Sequence, residues 1–117
     1  MVDKKVSKLA SILTDYSVNV KKGDKVLISA NQDAWILAKE VYKLCLKKGA
    51  FPHTVYSPGD LDYFFYKNAS QAQLQKKPEI SLFLANWADK FIRLYSANNS
   101  RSLSNIDPKK LMITAKS

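Results

Sequence analysis

The stretch 25-KVLISANQDAWILAKEVYKLCLKKGAFPHTVY-56 decides the fold. Its opening residues, Lys25 to Ala30, are β-formers that follow a Lys21-Lys22-Gly23-Asp24 turn, and they read as a buried strand. Asn31 or Asp33 then offers a side-chain oxygen to the first free amides of a helix. From Ala34 to Lys48 the apolar residues Ala34, Leu37, Ala38, Val41, Leu44 and Cys45 recur at helical spacing, with Lys39, Glu40, Lys43 and Lys47 opposite them. Gly49 ends this helix where a left-handed backbone is favoured. Phe51 to Tyr56 forms a second strand, and Pro52 falls near its start, where no donor is needed. A strand, a crossover helix and a strand in this order make the two strands parallel. The expected fold class is α/β: a small, mostly parallel sheet of about three or more strands, with helices on both faces in Rossmann-like layers.

The flanks extend this unit. Val6, Leu9, Leu13 and Tyr16 form one apolar stripe on a helix from about Asp3 to Tyr16, and Val18 and Val20 lead on in extended form. Beyond the second strand, Pro58-Gly59 breaks the chain, and Asp60 can cap a short helix bearing Leu61, Phe64 and Phe65. Ser70-Gln-Ala-Gln73 matches a capping box, so a further short helix starts there. Pro78 suits the first turn of a third helix, with Ile80, Phe83, Leu84 and Trp87 on one side. Asp89 to Ser96 reads as a third strand. Asn98 to Asn105 is a polar loop with one helical turn around Leu103. Asp107-Pro108, a cap followed by proline, predicts a helix that reaches Ser117 without a capping signal. Residues 1–117 are therefore expected to be a single domain at the start of a longer chain.

Length and composition agree with a single core. The chain has 117 residues, of which 46% are hydrophobic and 11% aromatic, enough for one packed domain. A net charge of +9 suggests phosphate binding, but the cations come as scattered lysine pairs and only two, Arg93 and Arg101, are arginines. A solvated surface explains that pattern better than a nucleic-acid groove. No apolar stretch is long enough to span a bilayer and no signal sequence opens the chain, so no membrane partner and a cytoplasmic location are expected.

The chemistry-bearing residues are sparse. One histidine, His53, and one cysteine, Cys45, cannot build a zinc site of the usual kind. His53 lies within the second strand and Cys45 on the apolar side of the helix, which marks both as structural or surface residues. Asp24, Asp33, Asp60, Asp89 and Asp107 occupy turn and cap positions, and the Asp60/Asp62 pair lacks a calcium-loop continuation. With only Gly23, Gly49 and Gly59 no phosphate-cradling loop can form. No catalytic, cofactor-binding or metal-binding residue is assigned. The most unusual local feature is Tyr63-Phe64-Phe65-Tyr66. On a helix with 3.6 residues per turn, four consecutive rings cannot all face one core. Either Phe64 and Phe65 are buried with the tyrosines facing water, or the cluster meets another domain or subunit.

The order of these features resembles the thermophilic-metalloprotease family of aminopeptidases, the aminopeptidase T and aminopeptidase S type. The likeness rests on Tyr16-Ser17 followed by Val20-Lys21-Lys22-Gly23-Asp24-Lys25-Val26-Leu27-Ile28, on Lys48-Gly49-Ala50-Phe51-Pro52, on Ala88-Asp89-Lys90-Phe91-Ile92-Arg93 and on Asn105-Ile106-Asp107-Pro108-Lys109-Lys110-Leu111. It runs from Lys8 to Leu111. The resemblance implies a parent enzyme that removes N-terminal residues from peptides with two divalent metal ions of the zinc, cobalt or magnesium type. It also implies a homodimer, and metal ligands in a C-terminal catalytic domain. None of those ligand motifs aligns with a residue here, so the chain itself is expected to be inactive. Two other readings remain at this point: a free-standing module that holds a small ligand at Asn31-Gln32-Asp33, and a basic nucleic-acid-binding domain.

Overall fold

The computed structural model describes residues 3–57 and 60–95 in full and residues 113–116 as backbone. The sheet is built on β1 (Lys25–Asn31), which pairs in parallel with β2 (Phe51–Ser57) on one side and with β3 (Lys90–Leu94) on the other. β4 (Ile113–Lys116) adds to the far edge of β3 in antiparallel register, giving the order β2-β1-β3-β4. The predicted mostly parallel α/β sheet is therefore present.

Between β1 and β2 runs α2 (Trp35–Lys47), entered through a short 3-10 turn, Gln32–Ala34. Its exit is a Schellman turn: the Gly49 amide donates to the Leu46 carbonyl at 3.0 Å and the Ala50 amide to the Cys45 carbonyl at 3.0 Å. Gly49 has φ +81°, and a Cβ there would lie 3.1 Å from Lys22 Cγ, so glycine meets both a backbone and a space requirement. The second crossover, from β2 to β3, holds α3 (Leu61–Asn68), α4 (Gln71–Gln75) and α5 (Glu79–Trp87). Because β2 and β3 lie on opposite sides of β1, right-handed crossovers put α2 and α5 on opposite faces. Ring contacts from β2 confirm it. Tyr56 meets Trp35 of α2 with centroids 5.2 Å apart, whereas His53, three residues earlier and so on the other face, meets Trp87 of α5 at 6.1 Å.

The core lies on the α2 face. β1 alternates, with Val26, Ile28 and Ala30 buried, and Ile92 and Leu94 of β3 stand level with Ile28 and Ala30. Over them pack Ala38, Val41 and Cys45 of α2, with Ala10 of α1 (Lys4–Ile12) and Leu13 just beyond it. By contrast, α3, α4 and α5 contain no buried residue.

Five sequence expectations need correction. Val18 does not lead on in extended form: its backbone is right-handed helical, at φ −103° and ψ −26°, and Asn19 after it is left-handed. The first helix does not run regularly to Tyr16: after Ile12 it widens into a π-turn, Leu13–Ser17. Thr14, fully buried, donates its hydroxyl to the Ala10 carbonyl at 3.0 Å, and the Val20 amide bonds back to the Thr14 carbonyl at 2.8 Å. The widened turn takes Tyr16 off the apolar stripe and leaves it 80% exposed. Asp60 precedes α3 but makes no side-chain cap bond. Phe64 and Phe65 are not buried; both remain more than 40% exposed. Finally, residues 113–116 are strand and not the tail of a helix begun at Asp107-Pro108, because β3 offers an open ladder that local signals do not report. Asp107, Pro108 and the loop Asn98 to Asn105 lie outside the described residues.

The one-sided core sets a mutational contrast. Ile28→Ala is expected to destabilise the chain by about 3 kcal/mol in urea unfolding, as for other large-to-small core changes. Ile80→Ala, at a site 78% exposed, is expected to stay within about 0.5 kcal/mol.

Candidate functional site

The densest polar arrangement sits at the N-terminal ends of the parallel strands. The Asp24 carboxylate accepts from the Lys21 amide at 2.8 Å, which closes the turn before β1, and pairs with Lys90 Nζ at 3.2 Å. Lys90 also donates to the Asn19 carbonyl at 2.6 Å, holding a residue that adopts φ 56°, a left-handed value asparagine tolerates well. Asp89 accepts from the Lys25 amide at 2.9 Å, and its own amide donates to the Lys25 carbonyl at 2.7 Å. The Phe51 amide completes the arrangement with a 2.7 Å bond to the Asp24 carbonyl. Burial raises the Asp24 carboxyl, but the Lys21 amide and the Lys90 ammonium outweigh it and hold the carboxyl below its usual range. The cluster fixes where three strands begin. Ligands of parallel α/β sheets bind at the opposite, carboxyl ends of the strands.

At that opposite end, Asn31 closes β1, and its side-chain oxygen accepts from the Ala34 amide at 3.1 Å. Of the two cap candidates, Asn31 is the one that caps. The loop Asn31-Gln32-Asp33 is thus committed to starting a helix, and it has no glycine that would let a ligand approach the backbone.

The remaining singled-out residues stay apart. Cys45 is fully buried in the core, as its position on the helix predicts. Burial pushes its thiol up to about 11, and the opposing pull of Lys48 is too weak to offset that. His53 is exposed on β2, edge-on to Trp87. Among the described residues, no group of three or more His, Cys, Asp and Glu lies together as metal donors. One exposed imidazole and one protonated thiol in separate layers do not fit a divalent metal centre.

A groove of about 920 Å³ runs between the start of α1, the outer side of α2 and Thr54 of β2. Trp35, Ile36 and Tyr42 give it an apolar wall, and the Glu40–Lys43 ion pair, 2.6 Å long, lies along its rim. Its other polar lining groups are Asp3, Lys39 and Thr54. Sequence reading did not find this groove, since its walls come from three separate elements.

Residues 2–117 match the thermophilic metalloprotease family, M29. The chain belongs to that family. No curated protein matches the sequence. Among solved structures, wild-type AmpT from Thermus thermophilus aligns with a TM-score of 0.66 and 22% identity over 92% of this chain, a likeness of fold. The aligned part is 28% of the AmpT chain, so the M29 chain described here spans little more than a quarter of that protein. The family is one of metalloproteases, which implies divalent metal in the working enzyme; the described residues do not form a site for it.

Two measurements follow from this geometry. Asp24→Asn is expected to cost about 1 kcal/mol at neutral pH, because it removes the charge facing Lys90. The folded-state pKa of Asp24 lies below the unfolded value. The carboxylate's contribution is therefore complete above about pH 4 and is lost as pH falls through the folded value, so urea unfolding should show the two proteins converging in acid. Cys45, with its thiol near 11, should react with a disulfide reagent roughly 100-fold more slowly in the native chain than in urea.

Proposed function

We propose that this chain is the non-catalytic N-terminal domain of a metal-dependent aminopeptidase. The observation that carries this reading is a family match along nearly the whole chain, combined with a fold match that takes up only 28% of AmpT. Among the described residues, no three His, Cys, Asp or Glu side chains gather as metal donors.

In this reading the parent enzyme releases N-terminal residues from peptides by metal-assisted hydrolysis. Two divalent ions of the zinc, cobalt or magnesium type are held by its C-terminal catalytic domain. The α/β layer contributes a scaffold: it helps to shape the cavity in which peptides are bound, limits access to it and supports a homodimer. A cytoplasmic location fits, and no helix of the described residues is long and apolar enough to cross a membrane. Neither nucleic acid nor membrane is a partner in this reading.

The test has two parts. The reading frame beyond Ser117 should continue into a region rich in Glu and His, and a stop codon directly after Ser117 would overturn the assignment. The purified 117-residue chain, assayed on aminoacyl p-nitroanilides with added Co²⁺ or Zn²⁺, should show no turnover. Hydrolysis that copurifies with the chain would equally overturn it.

A further inference from the structure

The crossover layer is unusual for a folded protein. Three successive helices, α3 to α5, contain no buried residue. Nine large apolar side chains on them are at least 41% exposed, led by Ile80 at 78%, Tyr66 at 72% and Phe83 at 66%. The aromatic run does not screen itself: Tyr63 meets Phe64 edge-on at 5.5 Å and Phe65 meets Tyr66 at 5.3 Å, yet all four rings stay open to solvent. With an aromatic side chain burying roughly 150–250 Å², the layer presents on the order of 800 Å² of apolar surface. Summed over the three helices, that is about what one partner contributes to a standard interface.

Charge separates this layer from the rest of the surface. Between Asp60 and Trp87, Asp60, Asp62 and Glu79 balance Lys67, Lys76 and Lys77, so the segment has no net charge. The excess that makes the chain +9 lies elsewhere, much of it on α1, α2 and the Lys21–Lys25 turn. Enrichment in Tyr and Phe is a usual mark of protein-contact surfaces, and this layer carries no net charge to oppose such contact.

We propose that the α3–α5 layer is the surface on which the remaining, catalytic part of the metalloprotease packs. The inference rests on the non-catalytic-domain reading above. Its occupant follows from length: the matched fold is 28% of the AmpT chain, so most of such a protein is available to cover a face that this part leaves bare.

The experiment mixes the 117-residue chain with the separately expressed polypeptide encoded directly after Ser117, and measures affinity by calorimetry. The unaltered chain should bind. Tyr66→Asp and Ile80→Asp should each weaken binding at least tenfold, while Lys8→Glu on α1 should change it less than twofold. Circular dichroism verifies that each variant is folded, which is expected because both aspartates replace highly exposed residues. If the unaltered chain does not bind, or if the layer variants bind as tightly as it does, the docking surface is wrong while the domain assignment stands. A missing downstream region would overturn the assignment and, with it, this proposal. Sedimentation of the chain alone provides the remaining arm: a tight homodimer abolished by Tyr66→Asp would overturn the proposal in favour of a second copy as the occupant.

Discussion

The structure depends on satisfying both edges of one strand. β1 has parallel neighbours on each side, and parallel neighbours cannot be reached by hairpins. The chain must leave β1 over one face to return as β2, then leave β2 over the other face to return as β3. Crossover handedness turns this pairing requirement into a three-layer molecule. The turns at the strand starts serve those two returns. The Schellman turn at Lys48 and Gly49 aims the chain from α2 into β2, while the Gly23 amide bonds to the Gly49 carbonyl at 3.0 Å and ties that turn to the one before β1.

The strand starts are fixed by charge as well as by the ladder. Asp24 and Lys90 come from segments far apart in sequence, and Asp89 closes on the backbone of Lys25. These groups lie at the amino ends of the strands, away from the end where α/β folds place ligands. Their polarity is therefore structural. At the ligand end, Asn31 is taken up in helix capping. Among the described residues of this metalloprotease-family chain, the most organised polar cluster therefore serves the strand starts.

The βαβ unit was legible because its information is local. Periodicity marked α2, the Gly49 stop was present in sequence, and the Ser70–Gln73 capping box forms with both reciprocal bonds. What was not legible depends on distant partners. Thr14 turns the end of the first helix into a π-turn because its neighbours bury it. Residues 113–116 become strand because β3 has a free edge, and a proline-based helix signal upstream says nothing about that. Asp60 stands in the right place to cap, yet the backbone before α3 does not bring its carboxylate to the amides. Likewise, the groove beside Trp35 and Tyr42 needs α1, α2 and β2 to be placed before it exists. The family resemblance carried further than any local rule, because it used the order of many weak signals along the chain.

One consequence of the lopsided core concerns how the molecule opens. Buried contacts hold β1, β3, α1 and α2 together, whereas the crossover helices rest on the sheet through a few half-covered residues such as Leu84 and Trp87. The free energy of local opening therefore varies steeply across the sheet, and the α3–α5 segment can detach at a small fraction of the cost of global unfolding. Amide protons of those helices would exchange early, while those of β1 would exchange only with the whole domain. A partner that covers the layer would remove this gradient and make the two faces into a single cooperative unit.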